Sequence, residues 1–542
     1  MNQDSSPSVA PFTAHPPFDV RRYGATGDGR TLDTPAINRA IAAAHAAGGG
    51  TVVCPAGDYL SHSIRLRSRV VLQLEAGAAV IAADPPPAGE PGGYDAPEEA
   101  PLNGYQDFGH TYFRNSLIWG EDLEDVGIVG PGRIYGRGLS RGNGRIALPV
   151  GIVAPQPPGH LPDVLEADGP VPPEADGTAP EGPFGYPNAR DTLPAGVGNK
   201  AIALRGCRRV VVRDLTILHG GHFALLAAAC DQVTVENLLV DTNRDGIDID
   251  ACSHVRIANC SVNSPWDDGI CIKSSCGGGS VRPVEHVTVA DCFVSGFEEG
   301  TLIDGTRSRV VRHRGGPIGR IKLGTEGCGG FRDITITGCR FEFCRGLALE
   351  LVDGSVMEDV VVSNLTMHEV MNAPIFVRVG GRLRAPGADT PGAMRRIAIS
   401  NLSAFDVAPE HGIFIAGLPG HPVGGLRLTG IELHCRGGGT DSDARRRVPE
   451  MADDYPEPFL FGPSPSWGLY VRHAAGLVAR GLTLHLLKAD ARPAVHLDDV
   501  TASELDGVRL RPVAALTDWS LAGTKSLRLR DCDGFEEPRV AP

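Results

Sequence analysis

Three aspartates have the type and spacing for chemistry: Asp245 in the run NRDGIDID, and the adjacent Asp267 and Asp268 in PWDDGICIKSS. Carboxyl groups within one or two strand spacings repel each other unless some keep a proton or share a cation. Such crowding lets one carboxyl act as an acid while another stays ionised as a base. Hydrolysis of a glycosidic bond needs that division, with an acid for the leaving oxygen and a base to activate water. Stacked aspartates can also ligate a hard cation such as calcium. That alternative points to a lyase, in which the metal acidifies a uronate and a base from the segment GRIKLG removes its proton.

Residues this far apart in sequence meet only if the chain repeats itself. A short phrase recurs: alternating apolar residues, then Asn, Asp or Gly, then an apolar residue. It runs through VVVRDLTI at Asp214, VTVENLLV at Asn237, VRIANCSV at Asn259, VTVADCFV at Asp291, ITITGCRF at Gly338, VVVSNLTM at Asn364 and IAISNLSA at Asn401. Weaker copies sit at Gly430, Gly481 and Asp531. Alternation turns one face of a short strand inward, and the corner that follows needs a residue tolerant of positive φ. The shortest spacings, 23 and 22 residues, suit one three-strand turn of a parallel β-helix. The longer ones are the same coil with loops inserted. The expected fold is therefore all-β, a single-stranded right-handed parallel β-helix. A β-sandwich does not require a fixed corner residue ten times over, and no helical pattern follows the strands as in a leucine-rich repeat.

Aligned by these corners, the strands after the next bend read Gly246–Asp250, Gly269–Lys273, Arg320–Gly324, Gly346–Glu350 and Pro374–Arg378. This register stacks Asp245 beside Asp268 and Asp267 beside Arg244. Asp267 and Asp268 both serve one groove only if they sit in a bend, which Trp266 and Gly269 fit. Asp248, Lys322 and Phe376 point outward, with Lys273, Glu350 and Arg378 at the far end. Candidate substrate-binding residues are His222, Lys273, Arg320, Lys322, Glu350 and Arg378, with Arg382 and His421 on later coils.

Composition narrows the partners. The 542 residues carry a formal charge of −14, which argues against nucleic acid, since phosphate binding needs a basic face. No apolar run approaches the roughly 18 residues of a membrane helix. The first residues lack a basic start and apolar stretch, so the expectation is a periplasmic or secreted protein if a signal was removed and a cytoplasmic one otherwise. Thirteen cysteines show no metal-like pairing; Cys207, Cys230 and Cys252 recur at 23 and 22 residues as an internal ladder of free thiols. Residues 1–17 read as a tail and 18–542 as the β-helix. Thr34-Pro35 looks like a helix start ahead of the helix-favouring 36–47, a cap for the first coil. Inserted loops are expected at about 147–198 and 436–466. No cofactor or metal is expected, and the chain should be a monomer or weak oligomer.

The chain resembles glycoside hydrolase family 28, the polygalacturonases and rhamnogalacturonan hydrolases of the pectin lyase-like superfamily. The resemblance rests on FDVRRYGATGDGRTLDTPAINRAI, NSLIWGEDLEDVGIVGPGRIYGRG, NRDGIDID in place of that family's Asn-Thr-Asp motif, and PWDDGICIKSS in place of its paired-aspartate motif. It implies metal-independent hydrolysis with inversion, Asp267 as general acid, and Asp245 with Asp268 holding and deprotonating water. Two departures bear on substrate. Gly319 stands where a Gly-His-Gly histidine is expected, and Ala348-Leu349-Glu350 replaces an Arg-Ile-Lys that grips galacturonate. Arg320 and Lys322 would then supply a relocated carboxylate clamp. The expected activity is cleavage of α-glycosidic bonds in acidic cell-wall oligosaccharides, rhamnogalacturonan-type ahead of galacturonan, and exo-acting because of the long insertions. The alternatives are the cation-using lyase and a non-catalytic carbohydrate-binding β-helix.

Overall fold

The computed structural model describes residues 16–87, 89–98, 112–140, 195–311, 316–513 and 519–535. Within them the chain winds as a right-handed parallel β-helix. One coil runs through the strands Asp245–Asp250, Ser253–Ala258 and Ser261–Asn263, and each pairs in parallel with its counterparts on the coils before and after. Asp245–Asp250 belongs to a 14-stranded sheet, described here as the groove sheet; the other two strands of the coil belong to a 24-stranded one.

The expected register holds. Ile247 pairs with Ile270, Ile270 with Ile321, Lys322 with Ala348, and Ala348 with Phe376. Ile247, Ile249, Ile270, Ile272, Ile321, Leu323, Leu347 and Leu349 therefore all face the coil interior and are fully buried. Each such side chain contributes about 1.5–3 kcal/mol. Because the side-chain period is two, their interior position fixes residues such as Asp248 and Lys322 on the outer face.

All ten corner residues named above have positive φ, between 49° and 68°. Gly507, with φ 71°, is a further copy of the corner. A second left-handed column runs through Arg209, Gln232, His254, His286, Asp333, Asp359 and Arg396, with φ of 51–58°. These are ordinary surface residues, so composition gave no signal. Several interact along the column, as Arg396 does with Asp359 (2.6 Å) and His286 with Asp333 (2.7 Å).

The capping helix spans Thr34–Ala46, with Asp33 rather than Thr34 at the N-cap. The Asp33 carboxylate accepts from the Thr26 and Gly27 amides, while Thr34 Oγ1 accepts from the His62 amide. Ala36, Ile37, Ala40, Ile41 and Ala44 seal the first coil. All 13 cysteines are free thiols, and the Cys230 amide donates to Cys252 Sγ at 3.2 Å within the expected ladder. Most of the first expected insertion, residues 147–194, and most of the N-terminal tail lie outside the described residues. The second insertion is folded. It carries a short capped helix, Asp441–Ala444, and a 3-10 turn, Pro458–Phe461, and it lays Val448 and Phe461 on Ala348, Phe376, Phe414 and Tyr470 of the groove sheet.

Candidate active site

The bend before each strand of the groove sheet places the aspartates. Asp245 opens the strand Asp245–Asp250, and the Gly246 amide donates to the Asp268 carbonyl at 3.0 Å, locking the two coils in register. Asp267 and Asp268 lie in the bend before Ile270–Ser274, as their flanking residues suggested, so both side chains reach the same face. Carboxylate oxygens of Asp245 and Asp268 come within 4.8 Å of each other. Arg244 Nη2 meets Asp267 Oδ2 at 2.9 Å. All three aspartates are on the outside of the coil stack. Asp245 and Asp268 are nevertheless buried, 2% and 1% exposed, whereas the Asp267 side chain keeps 15%.

The two buried carboxyls are driven in opposite directions. Burial raises the Asp245 pKa well above the ordinary carboxylate value, and the charge of nearby Asp267 adds to the effect. Burial pushes Asp268 the same way, but Lys322 and Arg320 outweigh it and hold the carboxyl well below the usual range. Arg320 Nε donates to Asp268 Oδ1 at 2.8 Å, and Lys322 Nζ lies 2.5 Å from Oδ2. Asp245 Oδ1 is buried without a hydrogen bond among the described residues. The two neighbouring carboxyls are thus pushed apart in acidity, Asp245 upward in pKa and Asp268 downward, an arrangement able to hold and polarise a water molecule.

The insertion supplies residues that sequence reasoning missed. Glu457 accepts from Arg320 Nη2 at 2.6 Å and also pairs with Arg345 Nη1. Tyr455 Oη lies 3.3 Å from Lys322 Nζ. Arg320 and Arg345 reside in the coils, and Glu457 is 137 and 112 residues further along the chain. No local pattern marks Glu457; the only available clue was that two outward cations on adjacent coils need counter-charges. Arg320 and Arg345 hold Glu457 ionised despite its burial. Glu350 is fully buried, donated to by Thr325 Oγ1 at 2.9 Å, and burial pushes its pKa up to about 7 against the pull of Arg320 and Lys322.

The remaining candidates separate. Lys273 Nζ pairs with Asp248 at 2.9 Å, and His222, 5% exposed, stacks on Phe223 one coil before Asp245. The expectation that Arg320 and Lys322 form an open clamp is corrected: both are at most 2% exposed and engaged by Asp268, with Glu457 on Arg320. Arg378 is also corrected. It donates to the carbonyls of Gly417, Glu450 and Met451, so it anchors the insertion instead of facing a groove. Glu350, fully buried beneath the same insertion, is likewise no surface contact. Arg382 is tied to Asp353 at 2.6 Å, and His421 closes a turn with Leu418. Gly319 cannot be a displaced histidine. It has positive φ, and a Cβ there would meet the Ser295 carbonyl oxygen at 2.2 Å.

Comparison with known proteins places this architecture. Residues 18–85 match the family model described as rhamnogalacturonase A/epimerase, pectate lyase-like, and residues 201–384 match the model for the right handed beta helix region. The chain is thus a right-handed parallel β-helix whose first coils are similar to the pectate lyase-like rhamnogalacturonase A/epimerase model. It is 25% identical over 284 residues to the exo-poly-alpha-D-galacturonosidase of Dickeya chrysanthemi, which is 50% of this chain and 44% of that protein. A shorter stretch of 42 residues is 64% identical to mannuronan C5-epimerase AlgE3 of Azotobacter vinelandii, 8% of this chain and 2% of that one. The chain therefore spans less than half the length of these curated relatives. Among solved structures, the family 28 exopolygalacturonase of Yersinia enterocolitica superposes with a TM-score of 0.51 at 17% identity, over 94% of this chain and 78% of that one.

Proposed function

We propose that the protein is a glycosidase of the family 28 type, hydrolysing α-glycosidic bonds in pectic oligosaccharides with inversion. The observation that carries this reading is the meeting of Asp245 and Asp268, with Asp267 close enough for its charge to act on Asp245, and the acidity of Asp245 lowered while that of Asp268 is raised. Two carboxyls this close sit too near to flank a glycosidic bond with water between them, a task that needs roughly 6.5–9.5 Å. They act together on the nucleophile: Asp268 accepts the proton of water while Asp245 orients it. Asp267, the most accessible of the three, takes up a proton from solvent when its contact with Arg244 opens and passes that proton to the leaving oxygen.

The charge pairing supports a rhamnogalacturonan-type substrate over plain galacturonan. Arg244, Lys273, Arg320, Lys322, Arg345 and Arg382 each already face a protein carboxylate within ion-pair distance. A galacturonate at the cleavage point would have to displace Glu457 or Asp268 from its partners; a neutral sugar would not. The insertion packed over the groove sheet, together with the exo-acting relatives, supports removal of units from a chain end.

The test is turnover on a panel of defined pectic oligosaccharides with products followed over time. End units should appear first, and Asp267→Asn should lose at least 1,000-fold in kcat while still binding, in line with the loss of a catalytic acid together with its positioning. Mid-chain fragments appearing first would refute exo action. Sensitivity to EDTA with an unsaturated product absorbing in the ultraviolet would replace hydrolysis with elimination. Unchanged turnover in Asp267→Asn would refute Asp267 as the acid, and binding without turnover in the unsubstituted protein would leave only a carbohydrate-binding role.

A further inference from the structure

Away from the aspartates, on the outer face of the larger sheet, strand register stacks a column of aromatic rings. His368 lies over Phe405, Phe405 over His434, and His434 over His485, with ring centroids 5.0, 5.0 and 4.1 Å apart. The last two rings are nearly parallel, inclined by 3°. Both turn the same nitrogen toward one oxygen: Glu432 Oε1 lies 3.0 Å from His434 Nε2 and 3.2 Å from His485 Nε2. His434 and His485 are direct partners on adjacent strands, and Glu432 precedes His434 by two residues on the same face.

We propose that Glu432, His434 and His485 bind a divalent transition-metal ion of the zinc, nickel or copper class. Two imidazoles and one carboxylate form a borderline donor set that favours these ions over calcium or magnesium. For metal–ligand lengths of about 2.0–2.1 Å, neighbouring ligand atoms sit roughly 2.9 Å apart in an octahedron and roughly 3.4 Å apart in a tetrahedron. The two nitrogen–oxygen distances lie inside that interval, and all three donor atoms fall within 4.8 Å of one another. Binding requires the stacked rings to swing apart so that their nitrogen lone pairs converge on one ion, a movement open to them because all three residues are partly exposed.

Two neighbouring features fit such an ion. Arg511, next in register after His485, is drawn to Asp533 at 3.2 Å, which removes a competing cation from Glu432. A hollow of about 380 Å³ beside Glu432 is walled by Thr366, Ser403 and Thr483. It exists because the corner column changes from Asn364 and Asn401 to Gly430 and Gly481, leaving the space without side chains. With three protein ligands the ion would keep an open position for a further oxygen ligand, and the hydroxyl-lined hollow beside Glu432 offers room for one. His254 and His286 form an internal contrast. They also stack, at 4.8 Å and 26°, but each turns Nδ1 to its own carboxylate, Asp231 or Asp333, and the pair shares no oxygen.

The experiment is calorimetric titration of metal-stripped protein with zinc chloride in a non-chelating buffer. One site per chain with micromolar affinity is expected. It should weaken at least tenfold in His485→Ala and in Glu432→Gln and remain unchanged in His254→Ala, with circular dichroism confirming the fold of each variant. Binding that survives in both site variants would assign the ion elsewhere, for example to the Asp245–Asp268 pair, and would overturn the proposal. So would the absence of binding below millimolar zinc. Glycoside hydrolysis should persist in His485→Ala, which separates this site from the groove.

Discussion

Asp245 and Asp268 carry the same functional group on adjacent coils, yet their pKa values are driven in opposite directions. The difference is made by what stands next to each. Asp268 has two cations at hydrogen-bond distance, whereas Asp245 has burial and a neighbouring negative charge. Asp268→Asn should therefore do two kinds of harm. It removes the proposed base, which should abolish measurable turnover, and it leaves Lys322 and Arg320 partly uncompensated, lowering stability by roughly 3–5 kcal/mol in denaturant titration. Lys322→Met on the wild-type background should raise the Asp268 pKa and shift the acidic limb of the rate profile upward. Glu350 provides a separate pH dependence. Its folded-state value, about 7, lies above the unfolded one, so the folded state holds the extra proton and stability falls as pH rises from about 4.5 through 7. Glu350→Gln should flatten that fall in thermal melts taken across the interval. An unchanged slope would show that Glu350 is not its source.

At the scale of elements, the insertion is the part that composition could not interpret. The coils announced themselves through alternation and a corner residue, because a period of two and a positive φ each restrict residue choice. From those restrictions came the β-helix, the register of the groove sheet, and the convergence of Asp245, Asp267 and Asp268. Glu457 and Tyr455 carry no such restriction: they lie in an aperiodic segment, and only the tertiary path brings them to Arg320 and Lys322. Arg378 departs from its sequence expectation for the same reason, since a buried arginine serving three backbone carbonyls reads in sequence like any outward cation. The second left-handed column was equally silent, its residues being Arg, Gln, His and Asp. Glu457→Ala should leave Arg320 and Arg345 buried with less counter-charge and lower the melting temperature by several degrees, more than Glu504→Ala on the exposed edge, where ion pairs contribute at most about 1 kcal/mol.

Over the whole molecule, stability accumulates coil by coil through nearest-neighbour pairing and one continuous apolar interior. Disulfides contribute nothing to it, since every cysteine is a free thiol. The midpoint of thermal unfolding should accordingly be the same with and without a reductant; a drop on reduction would contradict the thiol assignment.

The long reach from Arg320 to Glu457 has a consequence for how the protein is made. A chain emerging from the ribosome can stack its early coils as they appear, because each needs only the preceding one. The groove sheet, however, stays open to water until more than a hundred further residues have been synthesised and the insertion folds back over it. The face that holds the three aspartates is thus finished late, and a nascent chain halted before that point would hold an ordered stack with its ionic centre still bare.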